Sequence, residues 1–314
     1  MEMHTPVLLA EMLQYLQPKE GKTYLDCTFG TGGYSKAILK ETACSVIAID
    51  QDPHALLYAN QLKTIYGDRF RFYLSNFANL KRLPIEKIDG VVFDIGTSSI
   101  QLKNPERGFS FQQNGLLDMR MDPSDPSILT AKELIDSLNE EALANIIYNY
   151  GGEKHSRKIA KAIFLKKSEI TTTFELAQVI RETVKTKRYG KIDAATKTFQ
   201  SLRIAVNNEL ENFASALEQV TTLLNQGGNA VVVTFHSLED KIAKAFFKKF
   251  SQPKISKSKY APQVVEKNKD FCNNEHCYEI ITKKPIVSKK EEIEANPSAR
   301  SAKLRAAIKI SDEQ

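Results

Sequence analysis

The sequence of 314 residues is long enough for one large domain or for two domains, each with its own core. Its composition, 42% apolar and 26% charged, is typical of a globular protein and excludes a disordered or collagen-like chain. No apolar run reaches the roughly 18 residues of a membrane span, and four cysteines in so long a chain do not suggest a disulfide framework. We therefore expect a cytoplasmic protein without a targeting segment and without a membrane partner.

The first hundred residues alternate between helical and strand-like segments. Helices are predicted at 5–16, 33–41 and 53–65. Apolar strands are predicted at 23–29, 44–52 and 88–99, and a strand with alternating residues is predicted at 69–77. Strands that are apolar throughout and alternate with helices indicate a parallel sheet that is covered on both faces.

This alternation stops after the fourth strand. From about residue 104 to 203 the segments look helical or turn-rich, with no convincing strand, and a long helical region follows. A strand followed by a helix returns at 229–250. The simplest architecture is an α/β doubly wound sheet with a helical insertion. We divide the chain into a discontinuous core, 1–105 and 206–314, and an insertion, 106–205.

Two stretches near the carboxyl end are interpreted as loops. Residues 251–270 are rich in Lys, Ser and Pro. The stretch "CNNEHC" at 272–277 has two cysteines and one histidine, but it lacks the paired spacing of a structural zinc site. We therefore predict no metal site.

Positive charge is concentrated in the insertion. The net charge of the chain is +6, yet residues 154–205 alone contain 13 Lys or Arg and only 4 Asp or Glu. Such a segment is either a solvated helical face or the contact surface for an anionic partner.

The stretch "LDCTFGTGGYS" at 25–35 joins the first strand to the next helix through a glycine cluster. It lacks the Gly-Lys-Ser/Thr ending of a triphosphate-binding loop. Gly30 and Gly32 match the first half of a dinucleotide fingerprint, but Ser35 stands where the third glycine belongs. A tight turn without a ligand also fits this pattern.

Three carboxylates narrow the choice of ligand. Asp26, Asp50 and Asp94 lie at the ends of predicted strands, and ligands of open α/β sheets bind at that edge. Asp50 could bind a ribose diol through two hydrogen bonds. A carboxylate-rich pocket repels a pyrophosphate but suits a cationic sulfonium, so we predict S-adenosyl-L-methionine as the cofactor.

The chain resembles the bacterial 16S ribosomal RNA cytosine-N4 methyltransferases from near Met3 to about residue 307. The matching stretches are "HTPVLLAEML", "LDCTFGTGGYS", "IAIDQDP", "FDIGTSSIQL", "RGFSF", "LDMRMD", "TFQSLRIAVNNEL", "TFHSLEDK" and "NPSARSAKLR". The resemblance implies a Rossmann-like methyltransferase fold with an inserted all-helical domain. It also implies methyl transfer to the exocyclic N4 of a cytidine in 16S ribosomal RNA. The basic insertion and the lysine-rich segment 241–259 can contact RNA phosphates. A protein of this size is expected to recognise the folded shape of its RNA, within the small ribosomal subunit.

The resemblance also implies which residues contact the cofactor. They are Gly32, Gly33, Tyr34, Asp50, Phe77, Asp94 and Gln101. Tyr34 stands where the family usually has histidine, so only a backbone contact would survive there. Two smaller departures are Leu116, in place of a common proline, and 192–196, where the family tends to have His-Pro.

A cytosine amine needs a hydrogen-bond acceptor that holds it in line with the donor methyl. We assign this catalytic role to Asp94 or to the polar turn 97–99, with Ser98 as its central residue. The alternative is that Asp94 only caps the turn or binds cofactor. Methylation at carbon 5 would need a cysteine nucleophile, commonly beside proline, and the sequence contains no Pro-Cys.

Four further residues are assigned to substrate binding. Arg107 could meet a phosphate, and Phe109 and Phe111 could stack on a flipped base, although packing inside the insertion explains both rings equally well. His236 follows the last predicted strand, and we assign it, with Ser237, to substrate positioning. A hydrolase is excluded because no G-x-S-x-G motif surrounds this serine.

Two other functions stay open at this point. The glycine loop and Asp50 also fit a nicotinamide-dependent oxidoreductase. A non-catalytic ribosome assembly factor could retain the same fold. The sequence does not decide the oligomeric state.

Overall fold

The computed structural model describes residues 6–184, 188–189, 192–251 and 277–310. The loop predicted at 251–270 and the stretch 272–277 therefore lie almost wholly outside the described residues. The chain divides into two compact units. Unit 1 comprises 1–50, 56–96 and 213–314, and unit 2 comprises 51–55 and 97–212.

The strands are, in chain order, β1 Thr23–Asp26, β2 Ser45–Asp50, β3 Phe70–Leu74, β4 Ile88–Asp94, β5 Arg188–Tyr189, β6 Ile192–Asp193, β7 Leu224–Thr234, β8 Cys277–Ile280, β9 Ile286–Val287 and β10 Lys303–Ile310. The α-helices are α1 Leu9–Leu16, α2 Gly33–Glu41, α3 Ala55–Tyr66, α4 Ser99–Lys103, α5 Ala131–Ser137, α6 Glu140–Gly151, α7 Ser156–Lys166, α8 Thr173–Thr183, α9 Thr196–Asn207, α10 Glu209–Leu223, α11 Ser237–Lys249 and α12 Lys290–Ala295. None of the helices in the described ranges has the length and apolar character of a membrane span.

Unit 1 is built on one sheet with the strand order β3-β2-β1-β4-β7-β10-β8, and β9 pairs with β10. The strands from β3 to β7 run parallel, whereas β10 runs antiparallel to its neighbours. The chain reverses direction across the sheet between β1 and β4, which defines a doubly wound α/β fold with its ligand edge at the strand ends. The predicted fold class is confirmed.

The central strands are apolar on both faces because helices cover both sides of a parallel sheet. Leu25, Ile47, Val91 and Val232 are each at most 1% exposed and belong to one core cluster. The predicted strands begin within one residue of the observed β1 to β4, but they extend 2 to 5 residues beyond the observed ends.

Unit 2 is mainly helical and has a separate core. Three of its described helices, α4, α5 and α8, begin with complete capping boxes; in α5 Thr130 pairs with Glu133, and in α8 Thr172 pairs with Glu175. Such a pair satisfies backbone donors that a helix start leaves free. The insertion is not all-helical, since β5 and β6 form a short antiparallel pair. Two residues per strand are too few to produce a period in the sequence.

Two predictions about the carboxyl-terminal half are wrong or incomplete. The predicted helical region extends through residue 228, but β7 begins at Leu224 and runs for 11 residues. The strands β8, β9 and β10 are not predicted. In β10, residues 304–307 are all buried, and its sequence "KLRAAIKI" contains three charged residues, so the sequence shows neither a clear alternation nor an uninterrupted apolar run.

Candidate active site

Three carboxylates meet at one edge of the sheet in unit 1. The neighbouring strands β2, β1 and β4 run parallel, and they end at Asp50, Asp26 and Asp94 respectively. The structure therefore brings these side chains to the same edge. It is the edge at which open α/β sheets bind their ligands.

The glycine loop lies directly beyond β1. The backbone N–H of Gly30 donates to Oδ2 of Asp50 at 2.6 Å. Gly32 has a φ of +79° and immediately precedes α2. A Cβ on Gly32 would lie 2.8 Å from the Phe29 ring, and one on Gly33 would overlap Pro6. The loop thus needs glycine for packing within unit 1 and, at Gly32, for its positive φ.

Asp26 stabilises the glycine loop through buried hydrogen bonds and is not available to a ligand. It is fully buried, and it accepts hydrogen bonds from the Ser35 hydroxyl at 2.7 Å and from the Thr28 N–H at 3.1 Å. Burial raises the pKa of Asp26 to about 6, although these hydrogen bonds lower it. Its role is to connect the loop to the first turn of α2.

Asp94 has a carboxyl oxygen without a partner. Its Oδ1 atom is buried and forms no hydrogen bond with the described residues. Burial raises the pKa of Asp94 to about 8, and the charges of Asp26 and Glu239 add to this effect. Such a group is largely protonated at neutral pH, and a nearby cation favours its ionised form. Asp94 is therefore suited to bind a cation or an amine.

The other predicted cofactor residues of unit 1 lie near the same strand ends. Asp50 keeps a half-buried carboxylate, oriented by the bond from Gly30. Phe77 follows β3 in a short 3-10 segment, and its ring contacts Phe93 edge-on at a centroid distance of 6.1 Å. Its partly buried ring could cover one face of an adenine.

The side chain of Tyr34 is directed into unit 1. Its hydroxyl donates to the Val7 carbonyl, and the residue is only 4% exposed. Burial raises the pKa of Tyr34 well above its ordinary value. In place of the usual histidine, this tyrosine anchors the amino-terminal segment. Only its backbone, in the first turn of α2, is suited to contact a cofactor.

In unit 2, Ser98 and Gln101 belong to a polar network. Ser98 precedes α4 and accepts from the Gln101 N–H at 3.3 Å, while Gln101 Oε1 accepts from the Ser98 N–H at 3.0 Å. Gln101 Nε2 donates to Oδ2 of Asp52 at 3.0 Å. The serine predicted to be catalytic thus serves as a helix cap. Asp52 is not predicted as a site residue from the sequence. Asp50, at the end of the same strand, already supplies the acidic residue that is expected there.

Arg107 is buried in the same network and does not present its guanidinium to a phosphate. It forms an ion pair with Asp52 at 2.8 Å, and Nη2 donates to the carbonyls of Arg120 and Met121 at 2.9 and 3.1 Å. Although burial acts in the opposite direction, the Arg107 charge and hydrogen bonds from Gln101 and His54 hold the pKa of Asp52 below its ordinary value. The predicted phosphate contact is corrected: this arginine orders the "LDMRMD" stretch.

Both predicted base-stacking rings pack inside unit 2. Phe109 is 7% exposed and lies 5.7 Å below the Arg107 guanidinium. Phe111 contacts Phe199 at a centroid distance of 4.8 Å and the Arg181 guanidinium at 5.5 Å. This is the ordinary packing that the sequence allows as an alternative, and neither ring is free to receive a base in this arrangement.

His236 ends the loop after β7 and precedes α11. Its Nδ1 accepts from the Glu239 N–H at 3.4 Å, and Glu239 Oε2 accepts from the N–H groups of Phe235 and His236 at 2.8 and 3.1 Å. The stretch "HSLE" is thus a capping box with histidine as the first member. His236 and the exposed Ser237 also line a pocket at this strand end.

The two smaller departures from the family pattern lie in unit 2. Leu116 is 66% exposed and forms a backbone bridge with Thr172. Ala194 and Ala195 are buried immediately before α9. Asp193, in the same stretch, is paired with Arg181 at 3.0 Å, so it serves the packing of unit 2.

Comparison with known proteins identifies the family. The model of the MraW methylase family matches residues 1–310. The chain belongs to the MraW methylase family. It is 47% identical to the ribosomal RNA small subunit methyltransferase H of Ehrlichia canis, over 98% of this chain and 100% of that protein. The protein of the same name from Rickettsia bellii is also 47% identical, over 98% and 99% of the two chains. An rRNA methylase of known structure from Streptococcus thermophilus is 10% identical with a TM-score of 0.42, covering 98% of this chain and 99% of that one, a likeness too distant to carry an argument.

Family membership decides between the functions that the sequence left open. The protein is an S-adenosylmethionine-dependent methyltransferase, as predicted. The nicotinamide-dependent oxidoreductase is thereby excluded. The roles of individual site residues stay predictions.

Proposed function

We propose that this methyltransferase transfers a methyl group to the exocyclic N4 of a cytidine in 16S ribosomal RNA, within the small ribosomal subunit. The observation that carries the proposal is the unpartnered, buried Oδ1 of Asp94 at the strand end beside the glycine loop. The relatives named as small-subunit ribosomal RNA methyltransferases, alike over nearly their full length, support the choice of RNA.

The residues of unit 1 fit the methyl donor. The glycine loop brings backbone at the start of α2 to the strand end of β1, where open α/β sheets bind their ligands. Asp50 is oriented by Gly30 and retains acceptor capacity for ribose hydroxyls. Asp94 would face the positive part of the molecule. When bound, S-adenosylmethionine supplies an activated methyl group on a sulfonium.

The chemistry requires little beyond positioning. The lone pair of a cytosine amine is delocalised into the ring, so the amine must be held in line with the methyl group. Asp94 can accept a hydrogen bond from the amine and stabilise the positive charge that develops on nitrogen. The proton can leave late, so a dedicated general base is not required.

Unit 2 supplies a surface suited to RNA backbone. Arg157, Lys158 and Lys161 are exposed along α7, within the window of excess positive charge. Contacts from such residues to phosphates provide affinity and register but do not select a sequence. We therefore assign RNA recognition in the insertion to these cations and not to Arg107. The cytoplasmic location stays a prediction.

Methyl transfer to purified small subunits tests the proposal. Subunits from a strain that lacks the gene are incubated with labelled S-adenosylmethionine, and the modified nucleoside and its position are determined. We expect one labelled N4-methylcytidine in 16S RNA. Asp94→Asn should lower the transfer rate about 100-fold or more, whereas Asp68→Asn, on an exposed turn of the same unit, should not.

Three results would contradict the proposal in different ways. A methyl group on another atom would refute the N4 assignment. Methylation of naked RNA but not of subunits would refute the proposal that the assembled subunit is the substrate. Normal N4-methylcytidine in the deletion strain, without transfer in vitro, would favour the non-catalytic assembly factor.

A further inference from the structure

The pocket after β7 lies on the catalytic unit and is not used by the mechanism above. It has a volume of about 300 Å³ and is lined by His236, Ser237, Arg300, Ser301 and Lys303, among others. All of these residues belong to unit 1. The pocket combines two sequence stretches, "TFHSLEDK" and "NPSARSAKLR", that are far apart in the chain.

The pocket is close to Asp94 within the sheet. Asp94 pairs with Val233, and the next residue, Thr234, pairs with Lys303. Two strand spacings separate Asp94 from Lys303, which is roughly 10 Å. The ring of Phe235 would lie 3.3 Å from a Cβ on Gly96, so the pocket wall packs against the turn that follows Asp94.

Arg300 is held in place by its backbone, while its side chain has no partner among the described residues. It lies in the 3-10 turn Pro297–Ser301, which Asn296 caps by accepting from the Ser298 N–H at 3.2 Å. Ala299 and Ala302, on either side, are buried. A fixed turn that exposes an unpaired arginine is suited to bind an anion.

The charges around the pocket leave an excess of positive charge. Lys303 and Arg305 both contact Asp240, at 3.5 and 2.7 Å. Glu239 is buried beneath the loop and bound by backbone N–H groups. Among the residues that line the pocket, Arg300 and Lys303 are cations and none is a carboxylate. Lys303 is paired with Asp240, so Arg300 is the positive charge without a counter-charge among the described residues. The hydroxyls of Ser237 and Ser301 are exposed and add two hydrogen-bond donors.

We propose that this pocket binds a backbone phosphate of the RNA next to the target cytidine, with Arg300 as the principal contact. A base that leaves its stack must be held by its flanking backbone, and one excess positive charge matches one phosphodiester. This inference rests on the proposed function, because it places the phosphate beside the base that Asp94 binds. It assigns Arg300, Ser301 and Lys303 a role in positioning the substrate.

Steady-state methyl transfer to unmethylated small subunits tests the pocket. We expect Arg300→Ala to raise the KM for subunits roughly 10-fold, the loss typical of one charge-assisted hydrogen bond. Turnover at saturating subunits and the Kd for S-adenosylmethionine should stay within about 2-fold of wild type, since no cofactor contact is changed. Arg300→Lys should restore most of the affinity. Arg82→Ala is the matched control, because Arg82 is exposed and lies outside the pocket.

Salt dependence identifies the ligand as a phosphate of RNA. The slope of log affinity for subunits against log salt should become shallower by about 0.7 in Arg300→Ala, as expected for one lost phosphate contact. A second experiment measures how strongly inorganic phosphate, at constant ionic strength, competes with the subunits for binding. Weak competition in the wild type indicates an RNA phosphate, and strong competition would indicate a site for free phosphate and overturn the proposal.

The other outcomes are equally decisive. An unchanged KM and salt slope in Arg300→Ala would overturn the proposal. A parallel loss of S-adenosylmethionine affinity would assign the pocket to the cofactor and overturn it as well. If the wild type transferred no methyl group, the proposed function would fail, and subunit binding by wild type and Arg300→Ala would still show whether the pocket contacts RNA.

Discussion

The two units differ in how the carboxyl group of one aspartate in each is satisfied. In unit 2, both oxygens of Asp52 have partners, since Oδ2 accepts from Gln101 and Arg107 and Oδ1 accepts from the His54 N–H. In unit 1, Asp94 ends a central strand with a buried oxygen that no described residue satisfies. An unsatisfied buried acceptor destabilises a fold unless a ligand completes it. The comparison therefore distinguishes Asp52, which holds the structure, from Asp94, which we expect to receive a ligand.

The largest effect is expected when the network of unit 2 is broken. Arg107→Ala would leave Asp52 buried without its counter-charge, which typically lowers the free energy of unfolding by about 3–5 kcal/mol. Arg181→Ala, which removes a partly exposed ion pair with Asp193, should lower it by about 1 kcal/mol or less. Urea unfolding of the wild type and the two variants measures the difference. If Arg107→Ala kept its stability and only raised the KM for RNA, Arg107 would be a phosphate contact after all.

The next effect concerns the pH dependence of cofactor binding. The pKa of Asp94 is raised to about 8, so the free protein binds a proton that a cationic ligand must displace. The affinity for S-adenosylmethionine should therefore rise with pH, by roughly tenfold between pH 7 and 9 if only the ionised form binds. Titration calorimetry at several pH values measures this change in affinity. The same titrations with Asp94→Asn show how much of the change comes from ionisation of the ligand itself. Parallel pH profiles of the two proteins would contradict the role of Asp94.

The smallest effect distinguishes a helix cap from a catalytic group. Ser98→Ala removes the cap of α4 and should lower the free energy of unfolding by about 1 kcal/mol. Because the Ser98 hydroxyl bonds only to the Gln101 N–H among the described residues, the turnover rate should stay within about 2-fold of wild type. A roughly 100-fold slower turnover without loss of stability would return Ser98 to the catalytic residues.

The sequence predicts the sheet edge well because its signals are local. Each of β1, β2 and β4 is a short apolar run that ends in an aspartate, and parallel strands necessarily bring such ends together. The glycine loop is recognisable for the same reason, since its spacing follows directly from the turn after β1.

The remaining features depend on partners that are distant in the chain. Lys309 is buried in β10 because its Nζ donates to the carbonyls of Thr221 and Leu224, 88 and 85 residues away. Nothing within "KLRAAIKI" indicates those partners, so the strand is not predicted. Likewise, Arg107 looks like an exposed phosphate contact until Asp52, 55 residues earlier, is found beside it. The local pattern of a sequence does not show which distant groups will pair with a charged side chain.

Proton release on cofactor binding tests the central claim most directly. Calorimetry of S-adenosylmethionine binding at about pH 7, in two buffers with different ionisation enthalpies, gives the number of protons exchanged by wild type and by Asp94→Asn. A carboxyl group with a pKa of about 8 is close to fully protonated at neutral pH, so wild type should release about one proton more than the variant and bind roughly tenfold more tightly. Equal proton release and equal affinity in the two proteins would contradict the assignment of Asp94 as the group that receives the cation.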